Sequence, residues 1–496
     1  MPPMSTMTAR LGAAVTLLVL FVVSPVAWSQ PVPATAADLA KIQESLNAMR
    51  SFYEQRINAL EKKVDTLQKQ NTQLTQQASG PSVAVVAPAA ALEPVVSRNP
   101  PSSLGGGITL PRVGPVTPEI SLILDGKYSA QSQNPDGFMQ GFMPSGAENI
   151  PRGFSLGESE LGIAGTVDNL FRAEARFVVA QQGGGFSISA EEAFVETLGL
   201  PAGFKVKAGK FFSSVGYLNN KHPHEWDFVD LPLAYQAFFG GQLNDTGAQV
   251  SWVAPLESVY LRLGGEVGQG AAYPNSLNYN DNKPRLATLF AKMGGDMNEA
   301  SSWTGGLSFV NATTGDRPRT SQLNATDTFD FTGTTNVVMA DFVYKWAPDG
   351  NPSRQNFKFQ AEAFWNAQNG SGVLNTAQPY AGCQSPCAGL GYSNVQSGWY
   401  GQAIYQFMPN WRVGYRYDQL YGGNSSYGFG ANSFNGTVLE PWNPNRNTVM
   451  LDWSNSEYSM LRLQLARDTS LGPGLVNNQV FLQYIVSLGA HGAHRY

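Results

Sequence analysis

The sequence predicts an all-β fold, a transmembrane antiparallel β-barrel of about 16 strands preceded by a periplasmic coiled-coil helix. Three observations predict the barrel. Between Ile120 and Leu488, runs of about 8–12 residues that alternate apolar and polar side chains recur about sixteen times. The connections between these runs alternate between very short and long, as expected for the two rims of a barrel. Charged residues make up only 14% of the chain and glycine occurs 52 times, which suits a lipid-facing wall around a polar interior.

The composition also excludes several classes of protein. Beyond the N-terminus no apolar run reaches the roughly 20 residues that a membrane-spanning helix needs, so a helical membrane protein is excluded. The net charge of −5 argues against nucleic acid as a partner. The chain carries no HExxH, phosphate-binding loop or paired CxxC motif, so we expect neither an enzyme nor a required cofactor.

Residues 1–29 are predicted to be a signal peptide. Arg10 supplies the basic region, residues 11–23 are apolar, and Ala27-Trp28-Ser29 is a small-x-small cleavage site. An uncleaved anchor is the alternative, but Pro25 interrupts the apolar segment, which is also short for a membrane span. We therefore expect export and cleavage, with the mature chain in the outer membrane of a Gram-negative bacterium.

Residues 30–78 are predicted to form a coiled-coil helix. Residues 37–77 contain no Gly or Pro, and an apolar stripe follows a and d positions. Its best-spaced members are Ile57, Leu60, Val64, Leu67 and Leu74. A phase slip near Tyr53 indicates a stutter, and Asn71 at an a-type position would fix the register. Such a narrow stripe predicts self-association, formally with a dimer preference; the alternative is a helix packed against its own barrel.

Residues 79–117, rich in Pro, Ala and Gly, are predicted to be a linker, and residues 118–496 to be the barrel. The predicted strands span 120–129, 154–167, 170–181, 190–198, 204–212, 247–254, 258–268, 285–295, 302–312, 336–346, 356–366, 398–407, 411–420, 447–453, 458–467 and 479–488. Odd-numbered connections are long or Gly-rich and even-numbered ones are short. An even strand number then puts both termini on the periplasmic rim and the long loops outside the cell.

The two faces of each strand differ in polarity. Phe171, Ala173, Ala175, Phe177 and Val179 share one face, with Arg172, Glu174 and Arg176 between them. The same pattern places Phe357, Phe359, Ala361, Ala363 and Trp365 opposite Lys358, Gln360 and Glu362, and Leu461, Leu463 and Leu465 opposite Arg462 and Gln464. The apolar face is predicted to contact lipid. Aromatic residues near strand ends are predicted to form interfacial girdles: Trp346, Trp399, Tyr400, Trp411 and Trp453.

The connection over residues 213–246 is too apolar for a loop in water. It contains Trp226 and Phe228, and then Leu231-Pro232-Leu233-Ala234-Tyr235-Gln236-Ala237-Phe238-Phe239. Folding inward would bury these side chains and narrow the barrel, so we predict that this loop forms the constriction.

Three segments resemble a known family. Val206-Lys207-Ala208-Gly209-Lys210-Phe211-Phe212 with the loop after it, Met450-Leu451-Asp452-Trp453-Ser454, and Asn478-Gln479-Val480-Phe481-Leu482-Gln483-Tyr484 resemble outer-membrane porins of the phosphate-selective porin O and P group. The resemblance covers residues 120–496 and implies a trimer, in spite of the dimer preference of the heptads. Phosphate-selective members have lysine-rich lumens; here Lys205, Lys207, Lys210 and Lys221 lie near one strand and loop without forming a dense ladder.

Charged side chains on the polar face are the candidate pore-lining and constriction residues. They are Lys205, Lys207, Lys210, Lys221, Arg172, Glu174, Arg176, Glu192, Arg416 and Asp418. Glu174, Glu192, Glu196 and Glu362 are expected to pair with Arg172, Arg176, Lys205 and Lys207. The sequence leaves open whether the resulting field favours anions or cations.

Histidine and cysteine each suggest one further site. The chain's four histidines form two pairs, His222 with His224 and His491 with His494, which could converge on a zinc ion with Glu225 and Asp227 nearby. The alternative is two unrelated pairs. Cys383 and Cys387 are expected to form a disulfide in the oxidising compartment, and a two-thiolate metal site is the weaker alternative.

These expectations predict a porin for passive diffusion of small hydrophilic solutes or ions, possible substrates being anions such as phosphate or metal ions. The expected partners are outer-membrane lipid, two further copies of the chain in a homotrimer, and the cell wall through the coiled coil. One alternative is a zinc-binding outer-membrane transporter or receptor, although residues 30–117 are short for the plug of such receptors. The other is a structural tether in which the barrel only anchors the coiled coil.

Overall fold

A computed structural model describes residues 118–134, 139–142, 150–182, 185–275, 282–317, 328–375, 387–427 and 441–489. The predicted signal peptide (1–29), coiled coil (30–78) and linker (79–117) lie outside the described residues, as do Cys383, His491 and His494. No helix among the described residues is long and apolar enough to cross a membrane.

The described residues fold almost entirely as antiparallel β-strands. The strands are β1 (Glu119–Gln131), β2 (Gly153–Leu156), β3 (Ser159–Val167), β4 (Phe171–Gln182), β5 (Gly185–Thr197), β6 (Phe204–Phe212), β7 (Asn244–Val253), β8 (Tyr260–Gly268), β9 (Leu286–Asn298), β10 (Ser301–Arg317), β11 (Thr328–Trp346), β12 (Asn356–Asn375), β13 (Cys387–Met408), β14 (Trp411–Tyr421), β15 (Ser426–Tyr427), β16 (Asn445–Ser456), β17 (Ser459–Asp468) and β18 (Asn477–Gly489). Among the described residues, one α-helix, α1 (Leu233–Phe239), and three short 3₁₀ helices lie in connections.

The sheet closes on itself. Apart from the two short strands β2 and β15, each strand pairs with the strands before and after it, and β1 pairs with β18 from Ser121 opposite Gly489 to Gln131 opposite Gln479. Two short strands, β2 and β15, do not add to the circumference. β2 and β3 pair with different parts of the same strand, β1, and β15 pairs with the part of β13 that lies beyond the end of β14. The barrel therefore has sixteen strands around its circumference, which confirms the predicted 16-stranded antiparallel barrel.

The two faces of the wall follow the predicted alternation. On β17, Leu463 and Leu465 are 43% and 51% exposed on the outside, whereas the side chains of the alternate residues Arg462 and Gln464 are fully buried inside. On β12, Phe359 and Trp365 are exposed outside and Glu362 is buried inside. A closed wall that is apolar outside and polar inside is the arrangement that a membrane-spanning barrel requires.

One predicted girdle residue is corrected. Trp399 is exposed on the outside of β13, but the next residue, Tyr400, is fully buried inside the barrel. Consecutive side chains of a strand point to opposite faces, so the two cannot share a girdle. Trp411 and Trp453, by contrast, meet across β14 and β16 with ring centroids 6.4 Å apart at the rim that carries the short turns.

The two rims differ as predicted, with one exception. The start of β1 and the end of β18 lie on the rim with the short turns. One of these is the tight turn at Asp168, whose φ is 61°. The third connection is not a long loop, because its Gly-rich segment continues the hairpin of β4 and β5 up to Gln182 and Gly185. Strands β10–β13 extend well past their predicted ends, since backbone pairing continues through Thr, Asn and Gly after the apolar alternation stops.

Candidate functional site

The connection between β6 and β7, residues 213–243, folds into the barrel and is called here the inner loop. Asn219 closes its base: the side-chain amide donates to the carbonyls of Ser213 (2.8 Å) and Leu243 (2.9 Å), and its oxygen accepts the Leu243 amide (2.7 Å). The predicted constriction element therefore lies inside the barrel and is held at both ends by one buried side chain.

An apolar contact fixes the middle of the inner loop against one side of the wall. Helix α1 is buried along its whole length, and its aromatic rings pack on Phe364, which is 5.1 Å from the ring of Tyr235 and 6.0 Å from that of Phe238. The wall supplies further inward apolar side chains at this place: Val310, Val337, Met339 and Leu420. Helix α1 thus packs against an apolar patch on the otherwise polar inner face of the wall.

Asp230 attaches the loop to the wall through two arginines. Its carboxylate accepts from Arg416 of β14 (2.9 Å) and Arg446 of β16 (2.5 Å), and these guanidiniums also reach Asp418 (3.0 and 3.4 Å). Arg446 also lies 3.8 Å from Asp468 of β17. Burial would raise the pKa of Asp230, but Arg446 and Arg416 outweigh it and lower the pKa from 3.8 to about 2. This network is called the arginine clamp.

Glu362 of β12 attaches the first part of the loop. Its carboxylate accepts the backbone N–H groups of Tyr217 and Leu218, both at 3.0 Å, and the hydroxyls of Tyr235 (2.9 Å) and Tyr400 (2.5 Å). A Cβ on Gly216, whose φ is +61°, would stand 2.5 Å from this carboxylate. Glycine is therefore required for the loop to approach the wall so closely.

Asp227 makes the third attachment. It pairs with Lys358 of β12 (2.5 Å) and Arg412 of β14 (3.3 Å) and accepts from the Gln402 amide (3.1 Å). Burial would raise the pKa of Asp227, but Lys358 and Arg412 lower it, so the carboxylate stays charged. Asp227 therefore binds β12, β13 and β14 of the wall, and its predicted role near a histidine metal site stays a prediction.

The opposite side of the loop carries a cluster of carboxylates around His222. Its Nδ1 lies 3.1 Å from Glu191 and 3.2 Å from Glu160, and its Nε2 lies 3.0 Å from Glu192. His224 stacks on it with ring centroids 5.7 Å apart. Burial would lower the pKa of His222, but hydrogen bonds to Glu160, Glu191 and Glu192 outweigh burial and raise it well above 6.5. This set is called the His222 cluster.

Two cavities lie between the inner loop and the rim with the short turns. One, of about 630 Å³, is lined by Lys221, Glu225, Lys345, Lys358 and Arg412 among others. The other, of about 450 Å³, is lined by Arg176, Glu192, Lys205, Lys207 and Arg262 among others. Glu225 borders both, so the loop divides the polar space inside this half of the barrel.

The structure brings most of the predicted site residues into the lumen. Arg176, Glu174 and Glu192 lie together, and Lys205 pairs with Glu196 at 2.8 Å. Arg172 pairs with Glu119 (3.1 Å), and Lys221 lies 3.9 Å from Glu225. Glu362 pairs with no lysine or arginine of the predicted set and serves the loop backbone and two tyrosines instead.

Three predicted pore-lining residues have other positions or roles. Lys210 faces outward, because it is an odd number of residues from the inward-facing Lys205 and Lys207 on the same strand. It lies across from Ala193, an outward position on β5, and donates to the Ala190 carbonyl (2.7 Å). Arg416 and Asp418 do face inward, but both are fully buried in the arginine clamp, where they hold the loop instead of facing an open passage.

Only some of the residues in the zinc and disulfide predictions are described. His222 and His224 lie side by side, but His491 and His494 lie outside the described residues, so the predicted convergence of four histidines stays a prediction. The predicted disulfide also stays a prediction, because Cys383 lies outside the described residues and the Cys387 side chain is not described.

The sequence alone did not identify the residues that join the inner loop to the wall. Asp230, Arg446, Glu160 and Glu191 were not selected, and Glu362 was given the wrong partners. One signal was available for the apolar receptor: Phe364 occupies an inward position of β12, in step with Gln360 and Glu362, where a water-filled interior would favour a polar side chain. No comparable signal identifies which carboxylate meets which arginine.

The arginine clamp predicts an acid-sensitive loop. Because the pKa of Asp230 is lowered in the folded protein, its stabilising contribution is present above about pH 4 and is lost as pH falls towards about 2. We expect single-channel current to become larger or noisier over that interval at constant ionic strength. An Asp230→Asn variant should show a smaller acid transition than the wild type, and an equal transition in both would contradict the assignment to Asp230.

Comparisons with known proteins add the following. No protein-family model matches the chain. Similar solved structures include outer-membrane expressed OmpT of Vibrio cholerae (TM-score 0.45, 11% identity, 76% of this chain and 99% of that chain) and an anion-selective porin from Comamonas acidovorans (TM-score 0.44, 10% identity, 75% and 100%). Another is OprB of Pseudomonas putida in its high-pH structure (TM-score 0.44, 10% identity, 75% and 94%). Similarities this low carry neither a function nor an oligomeric state over to this chain.

A relative in sequence gives a firmer result. An "Uncharacterized protein" of Aquifex aeolicus (strain VF5) is 30% identical over 403 residues, which cover 76% of this chain and 79% of that protein. The alternation of a barrel constrains the polarity of a position but not the residue itself, so identity of this extent reflects common descent. The chain therefore belongs to the same protein family as this protein of Aquifex aeolicus.

Proposed function

We propose that this protein is an outer-membrane porin that lets small hydrophilic solutes diffuse passively, with a preference for anions. The observation that carries the proposal is the inner loop, which enters a closed barrel with a polar interior and narrows it. Three separate attachments, at Asp230, Glu362 and Asp227, hold the loop to the wall. A constriction that is fixed in place selects solutes by size and charge, as a channel requires.

Unequal charge pairing around the smaller cavity supports the preference for anions. Lys207 rests on the Phe194 ring, 4.1 Å from its centroid, and Arg262 donates to Gln249 (3.0 Å) and Ser251 (3.3 Å). Within the described residues, neither cation has a carboxylate oxygen within 4.0 Å. Their charge is therefore available to a passing anion, whereas Glu196 and Glu192 are already paired with Lys205 and with the His222 cluster.

The finer parts of the proposal are the solute and the assembly. Membership of the phosphate-selective porin O and P group would make phosphate one of the solutes, and Lys207 with Arg262 would be the residues that meet it. A homotrimer, joined through barrel walls and the coiled coil, with the coiled coil reaching the cell wall, completes the proposal. Export by a cleaved signal peptide into a Gram-negative outer membrane is part of it.

Reversal potentials in planar bilayers under a KCl gradient test the proposal. Unit charges about 8 Å apart in water interact by about 0.5 kcal/mol, which is about a twofold effect on one ion. A cation favours chloride and disfavours potassium by about this factor, so removing it should lower the chloride-to-potassium permeability ratio about fivefold. We expect the wild type to prefer chloride, and Lys207→Gln with Arg262→Gln to lose most of that preference. Repeating the gradient with phosphate addresses the solute.

Lys210→Gln is the matched control, because Lys210 lies on the same strand as Lys207 but faces away from the lumen. It removes the same charge from the chain and should leave the reversal potential unchanged. A wild type that forms no conducting pore in the bilayer would contradict the channel. A cation preference, or equal shifts in Lys210→Gln and Lys207→Gln, would contradict the anion selectivity.

A further inference from the structure

The His222 cluster has more negative charge than its permanent cations balance. Within the described residues, Glu160, Glu191 and Glu192 have one permanent cation within 4.0 Å, the guanidinium of Arg176, which pairs with Glu160 and lies 3.8 Å from Glu192. Arg176 is also shared with Glu174 at 2.6 Å. Protonated His222 reaches all three carboxylates, and a divalent ion that replaced its Nδ1 proton would balance more of their charge.

Three possible ligand atoms surround that space. Nδ1 of His222 and one oxygen each of Glu160 and Glu191 lie within 4.8 Å of one another. Nδ1 is 3.2 Å from the Glu160 oxygen and 3.1 Å from the Glu191 oxygen. Ligands bound about 2.0–2.1 Å from a tetrahedral zinc ion lie about 3.3 Å from each other, so small side-chain shifts suffice to admit an ion.

The other side of the imidazole ring has the partner that metal-binding histidines use. Nε2 of His222 lies 3.0 Å from Glu192, and the second oxygen of Glu192 accepts the Phe212 backbone N–H at 3.0 Å. A metal-bound histidine almost always donates its remaining N–H to a carboxylate or carbonyl, which fixes the ring and makes the ligand more basic. Glu192 is thus held in place to orient His222 with Nδ1 directed at the carboxylates.

We propose that His222, Glu160 and Glu191 bind one divalent transition-metal ion, with Glu192 as the residue that orients the histidine. A mixed imidazole and carboxylate set suits zinc, nickel or copper better than magnesium or calcium, which prefer oxygen ligands alone. The ligands come from the inner loop, β3 and β5, so the ion fastens the loop to the wall opposite the arginine clamp. This site goes beyond the proposed channel function and does not depend on it.

The proposed ligand set differs from the convergence of four histidines that the sequence suggested. It takes one histidine and two glutamates that are distant in sequence and leaves His491 and His494 out. His224, whose Nδ1 is 3.7 Å from the same Glu160 oxygen, stacks on the liganding ring. The two models therefore predict different effects of substitutions.

Isothermal titration calorimetry tests the site, with zinc chloride titrated into the full-length protein in detergent. We expect one zinc ion per chain in the wild type. His222→Ala should weaken binding by about 100-fold or more, and Glu192→Gln by about 10–100-fold, the usual effect of losing an orienting partner. Glu191→Gln, at the more accessible edge of the cluster, provides a second ligand test if His222→Ala assembles poorly.

Glu196→Gln is the matched control, since Glu196 lies on the same strand but pairs with Lys205. Its zinc affinity should equal that of the wild type. X-ray absorption of the zinc-loaded protein should show a shell of nitrogen and oxygen ligands with scattering from a single imidazole. Absence of zinc binding by the wild type, unchanged affinity in His222→Ala and Glu191→Gln, or loss of binding in a His491→Ala, His494→Ala variant would overturn the proposal.

Discussion

Replacing Asp230 by Asn should loosen the inner loop at one of its three attachments to the wall and raise the single-channel conductance. The substitution keeps the shape of the side chain but leaves Arg416 and Arg446 without the loop carboxylate that joins them. Removing one partner of a buried ion pair costs about 3–5 kcal/mol. Because Asp418 and Asp468 remain near the arginines, we expect a cost at the lower end, about 3 kcal/mol.

The conductance of single channels and the urea dependence of unfolding from lipid vesicles measure the two effects of Asp230→Asn. Asp349→Asn is the matched control, because Asp349 lies in an exposed turn with a φ of 53°, which asparagine also tolerates. It should behave as the wild type in both measurements. Unchanged conductance and stability in Asp230→Asn would show that the apolar contact of α1 holds the loop without the arginine clamp.

Placing a charge on the lipid-facing side of β17 should strongly disfavour the folded barrel. Leu463 lies midway along β17 with its side chain outside, between Leu461 and Leu465. Arginine at the midplane of the lipid-facing surface of a barrel costs about 2–4 kcal/mol, because its guanidinium loses water and finds no partner in hydrocarbon. Leu463→Arg should therefore make folding into vesicles less favourable by about that amount.

Leu463→Ala separates the effect of charge from the loss of the leucine side chain. It removes the same apolar contact with lipid without introducing a charge, so it should cost clearly less than Leu463→Arg in the same folding titration. Equal costs for the two variants would contradict the assignment of this face to lipid. So would selective labelling of a cysteine at 463 by a membrane-impermeant reagent from the aqueous phase.

The fold was predictable because a barrel repeats one simple rule. Side chains of a strand alternate with period two, so lipid outside and polar groups inside are written directly into residues such as Leu461, Arg462 and Leu463. The same rule gives the sixteen strands around the circumference and the position of the termini. Errors occurred where the rule does not apply: in the Gly-rich hairpin of β4 and β5, and in β10–β13, whose outer parts do not alternate apolar and polar residues regularly.

The candidate site was predictable only in outline. The apolar character of residues 231–239 indicates burial inside the barrel, and the structure places α1 there. Lys210 and Tyr400 were assigned to the wrong face of their strands, because residue type was considered without the strict alternation of side chains. Counting alternation strictly through Lys205 and Lys207 would have corrected Lys210.

The sequence by itself determined the closed wall, its lipid-facing side, its two rims and the inward loop, because each depends on local periodicity or on the solubility of a short segment. Only the tertiary structure decided that Asp230 meets Arg416 and Arg446, that Glu362 holds the loop backbone, and that His222 lies among Glu160, Glu191 and Glu192. These pairs join residues up to 216 positions apart, as between Asp230 and Arg446. Closure of the barrel sets such distances, since the curvature and stagger of all sixteen strands determine which inward side chains face one another across the lumen.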